Sequence, residues 1–89
     1  MILKTTVELW QKGNWYVAKS SELDFVSQGR TREEARKNLE EVIRIQFQEM
    51  TAMGTLQEYL NECGFETTND SISPKSEIIG FERYSLEVA

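Results

Sequence analysis

Ser27-Gln28-Gly29-Arg30-Thr31-Arg32-Glu33-Glu34-Ala35 joins a strand to a helix, and its reading decides the fold. Thr31 and Glu34 have the spacing of a capping box. The Thr31 hydroxyl can accept from an unpaired N–H of the first turn, and Glu34 can reach back to the Thr31 N–H. Glu33 and Glu34 also suit the positive end of the helix dipole. Beyond them, Ala35, Leu39, Val42, Ile43, Phe47 and Met50 recur at three- and four-residue spacing. That pattern predicts a long helix with one apolar stripe, ending at Gly54. On the other side, Gly29 is expected to supply the backbone freedom for the turn.

Working back toward the N-terminus, residues 3–10 alternate. Leu3, Thr5, Val7 and Leu9 fall on one face; Lys4, Thr6, Glu8 and Trp10 fall on the other. A period of two with β-branched residues predicts a strand. Gly13 and Asn14 tolerate positive φ, so a tight hairpin is expected to lead into a second, antiparallel strand at residues 15–19. Both faces of that strand are apolar, Trp15 and Val17 against Tyr16 and Ala18. Residues 20–24 break the pattern, and residues 25–28 read as a short third strand.

Past the helix, Thr55-Leu56-Gln57-Glu58 reads as a second capping box opening a short helix, with Gly64 as its left-handed end and Phe65 as the apolar contact. Residues 66–77, with Pro74, read as a polar loop. Residues 78–88 read as a last strand with a fault. Ile79 and Phe81 share one parity while Tyr84, Leu86 and Val88 share the other, so a bulge or bend is expected near Glu82 and Arg83. The expected fold is therefore a single α+β domain over residues 1–89, ordered β-β-β-α-α-β. It has an antiparallel sheet of about four strands, one long helix on one face, and a short second helix.

The composition excludes several kinds of chemistry. The 89 residues include no histidine and one cysteine, Cys63, so neither a Ser-His-Asp set nor an internal disulfide can form. The glycines are isolated, which leaves no phosphate-cradling loop. No catalytic residue, cofactor or metal site is expected. Glu8, Glu40 or Glu41, and Glu82 are the only carboxylates that invite a hard-cation, nuclease-like reading, and solvated outward charge explains them as well. A net charge of −5 opposes charge-driven nucleic-acid binding and would attract a basic protein. No apolar run approaches the ~20 residues of a bilayer span, and no secretory leader is evident, so a cytoplasmic location without membrane association is expected. A face left uncovered by the single helix predicts a binding surface or a homo-oligomer, dimer or tetramer.

Asn14-Trp15-Tyr16-Val17-Ala18, followed after a loop by Ser27-Gln28-Gly29-Arg30-Thr31-Arg32-Glu33-Glu34-Ala35, resembles the HicB antitoxin family. There a Tyr-Val-Ala strand is followed by a Gln-Gly-x-Thr-x-Glu-Glu-Ala turn into the main helix. The likeness is clear over residues 3–50 and looser beyond. It implies a truncated ribonuclease-H-like fold without catalysis, and a partner: a small basic HicA-type toxin that cleaves mRNA, neutralised by covering its RNA-binding surface. Two features depart from the family. Ser21-Glu22-Leu23-Asp24-Phe25 stands where a Pro-Asp-Leu-Pro-Gly-Cys-like loop is usual, and no DNA-binding segment follows the last predicted strand, so operator binding by this chain is not expected. Glu22, Leu23 and Asp24, with the outward Trp10, are the expected partner contacts; a plain strand connection is the other reading of that loop. A solitary structural or adaptor oligomer without a toxin is the alternative function.

Overall fold

Thr31 begins the long helix as its sequence requires. Its hydroxyl accepts from the Glu34 N–H at 3.0 Å, and α1 runs over Arg32–Met53. The helix ends in a Schellman motif: Gly54 takes φ 74°, its N–H reaches the Thr51 carbonyl at 3.1 Å, and the Thr55 N–H reaches that of Met50 at 2.8 Å. The computed structural model describes residues 1–89 and orders eight elements: β1 (Ile2–Leu3), β2 (Val7–Lys12), β3 (Trp15–Ser20), β4 (Val26–Gly29), α1, α2 (Leu56–Glu62), β5 (Phe65–Thr67) and β6 (Ser71–Pro74).

The class is α+β, but the architecture is six strands in two sheets rather than about four in one. β2, β3 and β4 form an antiparallel meander. The β2–β3 hairpin turns on Gly13 and Asn14, and only Gly13 has positive φ, at 61°. One positive φ at the first central position fits a type II′ turn. The second sheet has the order β1-β6-β5, with β1 parallel to β6. The strand expected over residues 3–10 is thus split, and its two pieces belong to different sheets. Thr5 and Thr6 mark the break: both hydroxyls and the Thr6 N–H go to the Glu22 carboxylate, and only the Thr6 carbonyl joins the ladder, accepting from Ser21.

One core serves both sheets. Ala18 of β3, Leu39 and Ile43 of α1, Leu60 of α2, Phe65 of β5 and Ile72 of β6 are all buried together. The helix stripe is as expected, with Ala35, Leu39 and Ile43 buried. Gly29 has a different job from the one its sequence position suggests. Its φ is not positive; a Cβ there would lie 2.7 Å from the Ala35 nitrogen and 2.9 Å from the Glu34 carbonyl carbon. Gly29 is needed for space, where β4 meets the first turn of α1.

Three further expectations change. Thr55 does not cap α2 with its side chain; its hydroxyl donates to the Met50 carbonyl at 3.5 Å, so the second box is not formed. The polar loop at residues 66–77 contains most of the β5–β6 hairpin. And residues 78–88 form no strand. Of the 47 backbone–backbone hydrogen bonds, none involves residues 76–89, which are exposed. With its apolar residues divided between two parities, this tail cannot bury them all against one neighbour. The radius of gyration, 15.3 Å, exceeds the ~12 Å of a compact chain of this length.

Two glycines separate space from flexibility. Gly29→Ala is expected to lower unfolding stability by about 2–3 kcal/mol, because backbone atoms on both sides must move. Gly80→Ala, with nothing within 4 Å, is expected to leave stability unchanged. Urea denaturation of both variants checks the pair.

Candidate protein-binding surfaces

The loop expected to reach for a partner is instead fastened inward. Ser20, fully buried, begins a chain of hydrogen bonds. The Leu23 N–H donates to Ser20 Oγ at 3.2 Å, Ser20 and Thr5 hydroxyls meet at 2.8 Å, and Thr5 Oγ1 donates to Glu22 Oε1 at 2.6 Å. Since Thr5 gives its proton to Glu22, Ser20 must be the donor to Thr5. The chain therefore runs in one direction and ends on a carboxylate, so each bond polarises the next. Thr6 adds its N–H at 2.9 Å and its hydroxyl at 3.0 Å. Burial alone would raise the Glu22 carboxyl, but these donors outweigh it and hold its pKa below the ordinary 4.5.

This arrangement corrects the expected contact set. Leu23 is 0% exposed and belongs to the core, and its carbonyl accepts from the Tyr59 hydroxyl. The Tyr59 ring stacks on Phe25 with centroids 5.8 Å apart. Burial, followed by the neighbouring Cys63 thiol, pushes the Tyr59 phenol up. Glu22 is committed to Thr5 and Thr6. Only Asp24, exposed and at φ 59°, and Trp10, 53% exposed, remain outward. They are not neighbours. The loop leaves the sheet next to Ser20, opposite Val7, whereas Trp10 pairs with Val17 three positions along.

Trp10 belongs to the sheet face that no helix covers. The register places Trp10, Val17 and Val26 on that side with Lys12 and Lys19, around a shallow groove of about 240 Å³. Trp15 lies on the same side under the Arg30 guanidinium, 5.4 Å from the ring centre. Tyr16, on the opposite side, packs against the core. The open face is thus apolar, fringed by Lys12, Lys19 and Arg30 with Glu8 paired opposite Lys19.

The acidic charge is elsewhere. Residues 1–44 carry eight basic and seven acidic side chains; residues 45–89 carry two basic and eight acidic ones. The excess lies on α2 (Glu58, Glu62), the β5–β6 hairpin (Glu66, Asp70) and the tail, all exposed. The sequence signal that identifies this end is the scarcity of Lys and Arg after Arg44, which a net charge for the whole chain conceals. The carboxylates considered for a cation do not gather. Glu8 and Glu82 line one open groove and Glu40 another, Glu8 accepts from Ser21 Oγ at 2.8 Å, and no group of three metal-ligating side chains forms. Cys63 is free and half-buried, just past the last turn of α2. No helix is long and apolar enough to cross a membrane. No family model, curated protein or solved structure was found to match the chain.

Because the folded pKa of Glu22 is depressed, its contribution to stability is full above pH 4.5 and is lost as pH falls through the folded value. Glu22→Gln is expected to cost about 1–2 kcal/mol at pH 7, with the gap between variant and parent closing as pH falls below 4.5 and through the depressed folded value. Denaturant unfolding at several pH values measures both.

Proposed function

We propose that this chain is a cytoplasmic protein-binding domain of the antitoxin kind, resembling the HicB family, that neutralises a small basic mRNA-cleaving toxin by covering its RNA-binding surface. The observation that carries this reading is the acidic surface of α2 and the β5–β6 hairpin it contacts, which carries Glu58, Glu62, Glu66 and Asp70. A ribonuclease must present positive charge to RNA phosphates, and a carboxylate-rich surface competes for the same charge. The apolar patch around Trp10 and Val26 adds contact area of the kind that anchors protein interfaces. The sequence likeness over residues 14–35 supports the same family of roles, although Gly29, Thr31, Glu34 and Ala35 serve the fold rather than a partner.

The second reading is a solitary structural or adaptor oligomer. The unpaired tail favours it, because it offers contact between copies without a toxin.

The test pairs the purified chain with the basic product of the adjacent reading frame. Saturating chain is expected to abolish RNA cleavage by that protein. Glu58→Gln, Glu62→Gln and Glu66→Gln together are expected to slow association about tenfold at low salt, with the difference shrinking at high salt. Glu33→Gln and Glu41→Gln, outside the acidic end, are expected to change the rate little. Undiminished RNA cleavage in the presence of excess chain would sink the antitoxin reading. A neighbourhood without any short basic frame would favour the solitary oligomer.

A further inference from the structure

Two parts of this molecule hold unpaired main-chain groups, and each has the shape the other lacks. The first is the outer edge of β2. The Ser21 N–H donates to the Thr6 carbonyl at 2.9 Å, which fixes the phase of the ladder. In an antiparallel pair, alternate residues turn their main chain toward the partner. Thr6, Glu8, Trp10 and Lys12 therefore face β3, while Val7, Leu9 and Gln11 point N–H and C=O outward with nothing to receive them. The edge carries no proline and no bulge, the usual guards of an exposed strand. The opposite edge of the sheet is closed: β4 has four residues, and its outward Gln28 carbonyl already accepts from Asn38 Nδ2 at 2.9 Å.

Beside the open edge lies a groove of about 530 Å³ whose lining is half apolar, with Met1, Leu3 and Val7 on one side and Leu39, Ile43 and Phe47 of α1 on the other, among five polar or charged residues. It exists because α1 lies over β3 and β4 and stops short of β2. Val7 and Leu9 are consequently about two-fifths exposed on what should be the covered side. A further strand beside β2 would fill this space.

The second part is the tail. Ile79 is 98% exposed and Val88 89%, with Phe81, Tyr84 and Leu86 all above 70%. Tyr84, Leu86 and Val88 alternate with Ser85 and Glu87, which is the pattern of a strand with one dry face.

The tail does not fit its own edge. Glu77 and Ile78 line a cleft with Thr5 and Thr6, and Phe81, Glu82 and Arg83 line one with Val7 and Trp10. Continued residue for residue, that alignment carries Leu86 and Val88 beyond Lys12, past the end of the strand. A tail arriving from a second copy is free of that tether and can set Tyr84, Leu86 and Val88 over Val7 and Leu9. Reciprocal exchange gives a closed, two-fold assembly. The two Tyr84 rings of exchanged tails, at ~150–250 Å² each, supply the first part of the ~1,000 Å² that a specific interface needs, and Leu86, Val88 and the exposed apolar residues they cover add the remainder.

We propose that the chain forms a symmetric homodimer in which residues 78–88 of each copy add as a strand to the β2 edge of the other, seating Tyr84, Leu86 and Val88 over Val7, Leu9 and Phe47. This goes beyond the antitoxin reading and does not depend on it; a failed toxin assay leaves it intact, and its own failure leaves the acidic end available to a partner.

The experiment has two arms. Sedimentation equilibrium of the full chain from 1 to 100 µM is expected to give twice the 10.3 kDa chain mass. The Tyr84→Asp/Leu86→Asp variant is expected to fall to one chain mass with an unchanged helical circular dichroism signal, since both residues are exposed within the protomer. In the second arm, a nitroxide is attached to Ser85→Cys in a Cys63→Ser background and mixed with ¹⁵N-labelled unmodified chain. Broadening of the Val7, Leu9 and Gln11 amides of the unmodified chain is expected. A monomer at 100 µM, an oligomer indifferent to the two aspartates, or broadening only when nitroxide and amides share one chain would overturn the exchange.

Discussion

The contact between Gly29 and the first turn of α1 fixes where everything else can lie. A hydrogen in place of a side chain lets the helix backbone approach β4 until a Cβ would sit 2.7 Å from the Ala35 nitrogen. Ala35 and Ala18, both fully buried, keep the same closeness along the interface. Close approach at β4 determines lateral position as well as distance. A 22-residue helix resting on β4 and β3 does not reach β2. The helix thereby builds a dry core for two strands and leaves the third with apolar residues on an open flank. The groove beside Val7 is the geometric consequence of where two small residues meet.

The second constraint joins the sheets. The chain leaves β1 and enters β2 through Thr5 and Thr6, and both are tied to Glu22 in the β3–β4 loop. A carboxylate receiving three short hydrogen bonds is well compensated for partial burial. The same chain of bonds satisfies the buried Ser20 hydroxyl and the Leu23 N–H, and no buried side-chain polar atom is left without a partner. A loop that reads as polar and outward in the sequence thus functions as an internal clasp. Glu22 reads as charged and solvent-seeking until the two threonines sixteen and seventeen positions upstream converge on it.

Signals that act locally were legible. The Thr31 cap, the apolar stripe of α1, its end at Gly54, the left-handed Gly64 and the Gly13 turn each depend on residues within about four positions, and each stands as the sequence suggests. The signals that failed depend on distant pairing. β5 and β6 bring only Phe65 and Ile72 into the core and are otherwise polar, so nothing in their alternation marks them; they are strands because β1, some seventy residues away, pairs with β6. Thr55-Leu56-Gln57-Glu58 has the spacing of a cap, but the preceding Schellman turn already binds the Thr55 N–H to Met50 and draws the hydroxyl the same way. Of the candidate contacts, Trp10 was legible as outward because β2 alternates. Leu23 was not legible as buried, because its burial follows from the clasp and from Tyr59 rather than from any period.

The tail shows why a strand-like sequence need not be a strand within its own protomer. A strip of alternating apolar residues gains little by lying on an edge it cannot match in phase, and the break at Glu82 and Arg83 sets its two halves out of phase with each other. The same break limits indiscriminate pairing. A long single-parity strip would add to any open edge and propagate, whereas here each dry face is only two or three residues long and is bounded by Glu77, Glu82, Arg83 or Glu87. Such a segment requires a site that supplies an open ladder and a matching groove together. The β2 edge is where the fold offers both, and the position of α1 that leaves it open is set by Gly29.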